Sequence, residues 1–169
     1  MNDAEKLTRD TINNGGVLAM LYFDIHAKTK EIVQAIGAGF IKNLLKKPGV
    51  VFALGEIDEP VSGGEGKNWS THISVKILTK DFVSLVSICM AHSPFTVELL
   101  RPDEIVLKPN NVHDILGTVA AATAEYKRYI VTKLAKPEEL AQIEEDLKKR
   151  AEMGRKILEQ GDDVGKKID

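Results

Sequence analysis

Two histidines, a carboxylate and a glycine-rich loop are the residues of this chain whose types could do chemistry. His26 ends the segment Tyr22-Phe23-Asp24-Ile25-His26, and His72 lies near the start of Thr71 to Leu78. With Asp24 they offer imidazole nitrogens and a carboxylate oxygen, the donor types that zinc takes. Between them runs Ser62-Gly63-Gly64-Glu65-Gly66-Lys67-Asn68-Trp69-Ser70. A phosphate-binding P-loop places four residues between its first Gly and a Gly-Lys-Ser/Thr, with a helix after it. Here Val61 holds the first position, Asn68 replaces the hydroxyl residue and a strand follows, so that reading is rejected. Two readings remain for the loop. It is a hairpin connection, or it is a flap over a ligand, with Lys67 facing an anion and Trp69 as a stacking lid.

Cys89, three residues before His92, suggests a nucleophile and its base. It shares an apolar stripe with Phe82, Leu85 and Val86, however, which makes it a buried and inert thiol. His113 falls in the first turn of a helix, where the macrodipole disfavours a cation. Glu56, Asp58 and Glu59 beside Pro60 read as a solvated edge rather than an acid–base pair.

The elements that must position these groups follow from periodicity. Residues 1–14 form a short helix or lead-in ending at Asn13-Asn14-Gly15-Gly16. Val17 to His26 is a strand with Leu21, Phe23 and Ile25 on one face and Tyr22, Asp24 and His26 on the other. Thr29 caps a helix whose stripe is Ile32, Val33, Ile36, Phe40, Leu44 and Leu45. Gly37 and Gly39 inside it imply close packing on the sheet. Val50 to Ile57 is a second strand and Thr71 to Leu78 a third. Thr79 caps a second helix that stops at His92-Ser93-Pro94. A fourth strand, Phe95 to Leu100, continues into Ile105-Val106-Leu107. Asn111 caps a long helix bearing Val112, Ile115, Leu116, Val119, Thr123, Tyr126 and Ile130. A last helix starts at Pro137, with a seam of Leu140, Ile143, Leu147, Ala151, Gly154 and Leu158.

This order predicts an α+β, ferredoxin-like split β-α-β sandwich: an antiparallel sheet with helices on one face. The expected division is a body over 1–134, a charged amphipathic helix over 135–160 and a frayed tail over 161–169. In element order, residues 17–107 resemble the small regulatory modules of the ACT and transcription-factor ligand-sensing type. That resemblance implies a ligand-sensing role.

The open sheet face then carries Tyr22, Asp24 and His26 on the first strand and His72, Ser74 and Lys76 on the third. With these strands read as parallel neighbours, His26 and His72 stand on the order of 15 Å apart at roughly 3.3 Å per residue. They cannot share a metal within one chain, and Asp24 pairs with Lys76 instead.

Composition bounds the function. The chain has 169 residues and net charge −2, with Lys+Arg 23 against Asp+Glu 25, which argues against a nucleic-acid partner. One cysteine permits no internal disulfide. The polar start is not a secretory signal and no apolar run reaches a membrane span, so a cytoplasmic setting is expected. Residues 135–169 hold 8 basic and 10 acidic side chains and no aromatic, consistent with an extended charged helix. Its narrow seam and the open sheet face imply a homo-oligomer. No motif demands a cofactor or metal, and none is expected.

The leading expectation is a binding module for a small ligand or a protein partner. Its candidate residues are Tyr22, Asp24, His26, Lys67, Trp69, His72 and Lys76. The alternatives are an enzyme whose acid–base groups meet at a subunit interface, and a purely structural assembly protein.

Overall fold

From Val17 to Phe23 every second residue of the first strand is buried, Val17, Ala19, Leu21 and Phe23, because alternation turns them all to one face. The computed structural model describes residues 3–134, 139, 141–146, 148–153 and 156. Its elements run α1 (Asp3–Asn13), β1 (Val17–Ala27), α2 (Lys30–Leu44), β2 (Val50–Ile57), β3 (Val61–Ser62), β4 (Trp69–Thr79), α3 (Phe82–His92), β5 (Thr96–Arg101) and α4 (Pro109–Leu134). The chain divides into two units, residues 1–122 and 123–169.

The fold is α+β. One five-stranded antiparallel sheet has the order β2-β4-β1-β5, and the short β3 continues the β2 side along β4. The core lies on one face. Leu21 and Phe23 of β1 and Ile73, Val75 and Ile77 of β4 meet Leu44 of α2 and Leu85 and Ile88 of α3. Each such side chain contributes roughly 1.5–3 kcal/mol by leaving water.

Local signals explain the helix ends. Thr29 accepts a hydrogen bond from the Ile32 N–H and starts α2. Asp81, not Thr79, caps α3, accepting from the Ser84 N–H at 2.7 Å. Thr79 is instead the buried last residue of β4, its hydroxyl donating to the Asp81 carbonyl. Ser93, in the left-handed region at φ 50°, ends α3 as the His92-Ser93-Pro94 signal implies. The long helix begins at Pro109 rather than after Asn111, because proline is suited to the first helical position.

Three strand expectations change. Trp69 and Ser70 already belong to β4, and Val61–Ser62 adds a short strand within the segment read as a loop. Ile105, Val106 and Leu107 do not continue the sheet; Ile105 packs on the core while Val106 is 84% exposed. Most important, β1 and β4 are antiparallel, not parallel. This re-registers the whole outer face.

The unit from 123 onward is helical over 123–134, 141–146 and 148–153. Lys149 and Glu145 form an i,i+4 ion pair at 2.8 Å, and Ile143 is half-buried while Ala151 is exposed. Pro137, Leu140, Leu147, Gly154, Leu158 and the 161–169 tail lie outside the described residues. Among the described residues no helix is long and apolar enough to cross a membrane.

The two glycines of α2 differ. A Cβ at Gly37 would sit 3.0 Å from Ile57 and 3.2 Å from Ile73, so Gly37 marks close helix–sheet packing. A Cβ at Gly39 would meet nothing within 4 Å, so packing does not explain that residue. Gly39→Ala is therefore expected to raise stability by about 0.5–1 kcal/mol through helix propensity. Gly37→Ala is expected to lack that gain. Urea unfolding of the two variants checks the contrast.

Candidate functional site

The sheet face turned away from α2 and α3 is read row by row from the strand register. Phe52, Leu78, Leu18 and Arg101 form the first row across β2, β4, β1 and β5. Leu54, Lys76, Met20 and Glu98 form the second, and Glu56, Ser74, Tyr22 and Thr96 the third. Beyond them His72 faces Asp24, and Ser70 faces His26. The face is thus apolar at one end and polar at the other.

At the polar end the expected Asp24–Lys76 pair does not exist. Antiparallel register sets Lys76 opposite Met20 and brings His72 to Asp24, where Nδ1 of the ring contacts the Asp24 carboxylate. The same register makes His26 a diagonal neighbour of His72, about 7–8 Å away rather than 15 Å. Phe95 stacks edge-on against His72 and tilted against Tyr22, both at 6.2 Å between ring centres. The Tyr22 hydroxyl donates to Glu98 at 3.3 Å. Desolvation first, and then the charge of Glu98, hold the Tyr22 phenol above its ordinary value. A carboxylate-oriented imidazole can act as a base or hold a metal. Here, however, 69% of the His72 side chain is exposed, and a surface ion pair adds little to stability. Among the described residues no three His, Cys, Asp or Glu side chains gather as a metal site.

Lys67 and Trp69 do not join this group. Trp69 pairs with Ala27, in phase with Thr71 and Ile73, so alternation assigns it to the opposite face. Lys67 belongs to a closed turn: its N–H donates to the Gly64 carbonyl, and the Gly63 N–H donates to the Asn68 carbonyl. Gly64 and Gly66 hold φ of 110° and 72°, which explains the glycines as turn residues. Nearby Glu59 pairs with Lys30 at 3.0 Å, so that carboxylate serves to tie the loop to α2.

At the apolar end α1 lies over the sheet and lines with it an open cavity of about 710 Å³. Its wall on α1 includes Leu7 and Ile12, and its floor is Leu18, Phe52 and Leu54. Arg9, Lys76 and Arg101 bring three cations to it, against the one carboxylate of Glu5. No residue of α1 is buried, and Leu7 is 48% exposed although it faces the sheet. The helix therefore stands off from the apolar row. A second, smaller cavity, of about 320 Å³, continues along the same face past Met20, Leu54 and Ser74.

What fixes α1 is its C-terminal joint. The Gly16 N–H donates to the Thr11 carbonyl at 2.9 Å, and Gly15 has φ 93°. The Asn14 side-chain amide donates to the Asp10 carbonyl at 2.8 Å. A Cβ at Gly16 would lie 2.7 Å from the carbonyl oxygens of both Thr11 and Thr79. Only glycine lets the helix turn onto the strand at that distance.

Sequence reasoning finds Lys76 but misses Leu18, Phe52, Leu54, Arg9 and Arg101. One signal was present. Phe52 and Leu54 alternate with Ala53 and Gly55, so β2 offers an apolar row on each face.

A profile of the MJ0538 family matches residues 18–154. The chain belongs to the MJ0538 family. The match includes Leu18, Phe52, Leu54, Lys76 and Arg101 of the cavity but begins after α1. No curated protein and no solved structure matches the chain.

On the helix-covered side, Cys89 and His92 both belong to α3. Burial pushes the Cys89 thiol above its ordinary value, which favours the protonated form over the nucleophilic thiolate. His92 stacks edge-on against Phe40 at 5.4 Å, and its Nε2 is buried with no hydrogen-bond partner. Desolvation, and then the charge of Lys47, lower its pKa below the ordinary value of 6.5. The folded state thus disfavours the imidazolium. The stability His92 confers is complete above that ordinary value and falls as pH drops through it towards the folded value. His92→Phe keeps the ring contact and is expected to flatten this loss. Urea midpoints of both proteins between pH 8 and pH 5 provide the check.

Proposed function

We propose that this chain is a non-enzymatic ligand-binding module of the ferredoxin-like split β-α-β type, working as a cytoplasmic homo-oligomer. The sheet order β2-β4-β1-β5, with α2 and α3 packed on one face, supports the fold. The observation that carries the function is the cavity between α1 and the outer face. Its size lies within the range of small-molecule sites, and its apolar lining with a few charged groups is the usual composition of such sites. Val112, Leu116, Val119, Tyr126 and Ile130 recur along α4 at steps of four, three, seven and four, and all are exposed. That coiled-coil spacing supports subunit association.

Native mass spectrometry beside the denatured mass tests this reading, because it reports subunit number and any retained molecule together. The expected result is an oligomer carrying extra mass in the range of a small molecule. An oligomer without it leaves an assembly protein, and a bare monomer removes both parts of the proposal.

A second reading rests on the Asp24–His72 contact, which is the geometry of an oriented base. It is an enzyme whose site is completed by another subunit, with His26 of one copy near His72 of the next. His72→Ala separates the two readings. The binding module keeps its retained mass in that variant.

A further inference from the structure

We propose that the cavity beneath α1 takes an amphiphilic anion: an acyl chain ending in a carboxylate. This rests on the ligand-binding reading above and names the class of ligand. The sheet side of the cavity offers Leu18, Phe52 and Leu54, with Lys76 and Arg101 beside them. Phe52 and Leu18 lie in one row across the strands, ending at Arg101 on β5, and Leu54 adjoins them in the next row. At about 4.8 Å per strand, that row is about 14 Å long. A chain laid over this row would bury its methylenes there, with its charged end turned to Lys76 in the adjoining row.

Charge selects the headgroup. Lys76 stands among Leu54 and Met20 in the second row and has no ion-pair partner among the described residues. Arg101 is held by Asp103 at 2.7 Å, and Arg9 lies 3.8 Å from Asp10, so each is partly neutralised. Lys76 is thus the cation left to meet an anion. It is solvent-exposed at the rim of the apolar floor, where it can reach an anion without being buried itself. A neutral apolar ligand would fill the cavity without using Lys76. A cationic one would be repelled by all three basic groups. No residue of α1 is buried, so the helix leaves the space over the row open.

The test is calorimetric titration of the full chain with dodecanoate, dodecanol and dodecyltrimethylammonium, each below its micelle concentration. Dodecanoate is expected to bind at one molecule per chain, at least tenfold tighter than dodecanol, and the cation not at all. Lys76→Glu is expected to weaken dodecanoate at least tenfold and leave dodecanol unchanged. Lys76→Gln, which removes charge without reversing it, should give a smaller loss. Equal binding of dodecanoate and dodecanol, or no effect of the Lys76 variants, overturns the anion assignment while the ligand-binding reading stands. Uptake of none of the three, with a different mass retained in native spectra, does the same. Uptake of none, with no retained mass, removes both. Binding to phosphatidylglycerol vesicles without uptake of free dodecanoate would make the face a membrane surface, and that also overturns the proposal.

Discussion

Leu21→Ala is expected to cost the fold about 2–5 kcal/mol, the range for deleting a buried leucine side chain that leaves a cavity. Leu21 is 0% exposed and sits midway along β1, between Val75 on β4 and Val97 on β5. The central strands β1 and β4 cannot close on the void, because each is hydrogen-bonded on both sides. Two-state urea unfolding should show a lower midpoint with an unchanged slope. A midpoint within experimental error of the parent would mean that β1 does not carry the core. The variant also isolates stability from the ligand site, since Leu21 lies on the face opposite the cavity.

Gly16→Val is expected to act on both. Its Cβ would stand 2.7 Å from the carbonyl oxygens of Thr11 and Thr79, and those are backbone atoms that no rotamer change can move. Overpacking of this kind costs about 1–3 kcal/mol. The chain can relieve it only by swinging α1 off the end of β1, which removes Leu7 and Ile12 from the cavity wall. Ligand retention should fall at least tenfold while the sheet stays folded. Urea unfolding, together with the retained mass in native spectra, measures the two effects. Full retention of ligand by a folded Gly16→Val protein would mean that α1 is not part of the site.

The sequence made the elements legible where one signal dominated. Val50–Ile57 is read to the residue, and the Thr29 cap and the His92-Ser93-Pro94 stop are where their chemistry puts them. It misled where two signals competed. Thr79 and Asp81 are both good capping residues; the one buried at the end of β4 could not serve. The site was harder, because a strand's alternation says which residues share a face but not which residues of two strands face each other. Reading β1 and its neighbour as parallel displaced His72 from Asp24 and invented an Asp24–Lys76 pair. Trp69 was placed with the histidines through a loop boundary two residues late. The cavity itself was not legible from any single segment. It needs α1, β1, β2, β4 and the end of β5 together, and the residues of α1 read as either a short helix or a lead-in.

An amide chemical-shift map settles most directly where a ligand sits on the sheet face. On titration with dodecanoate, the predicted shifts fall on α1 and on the amides of Leu18, Phe52, Leu54, Lys76 and Arg101. Shifts centred instead on Asp24, His72 and Phe95, with α1 unmoved, would contradict this prediction and place the site at the polar end of the same sheet face.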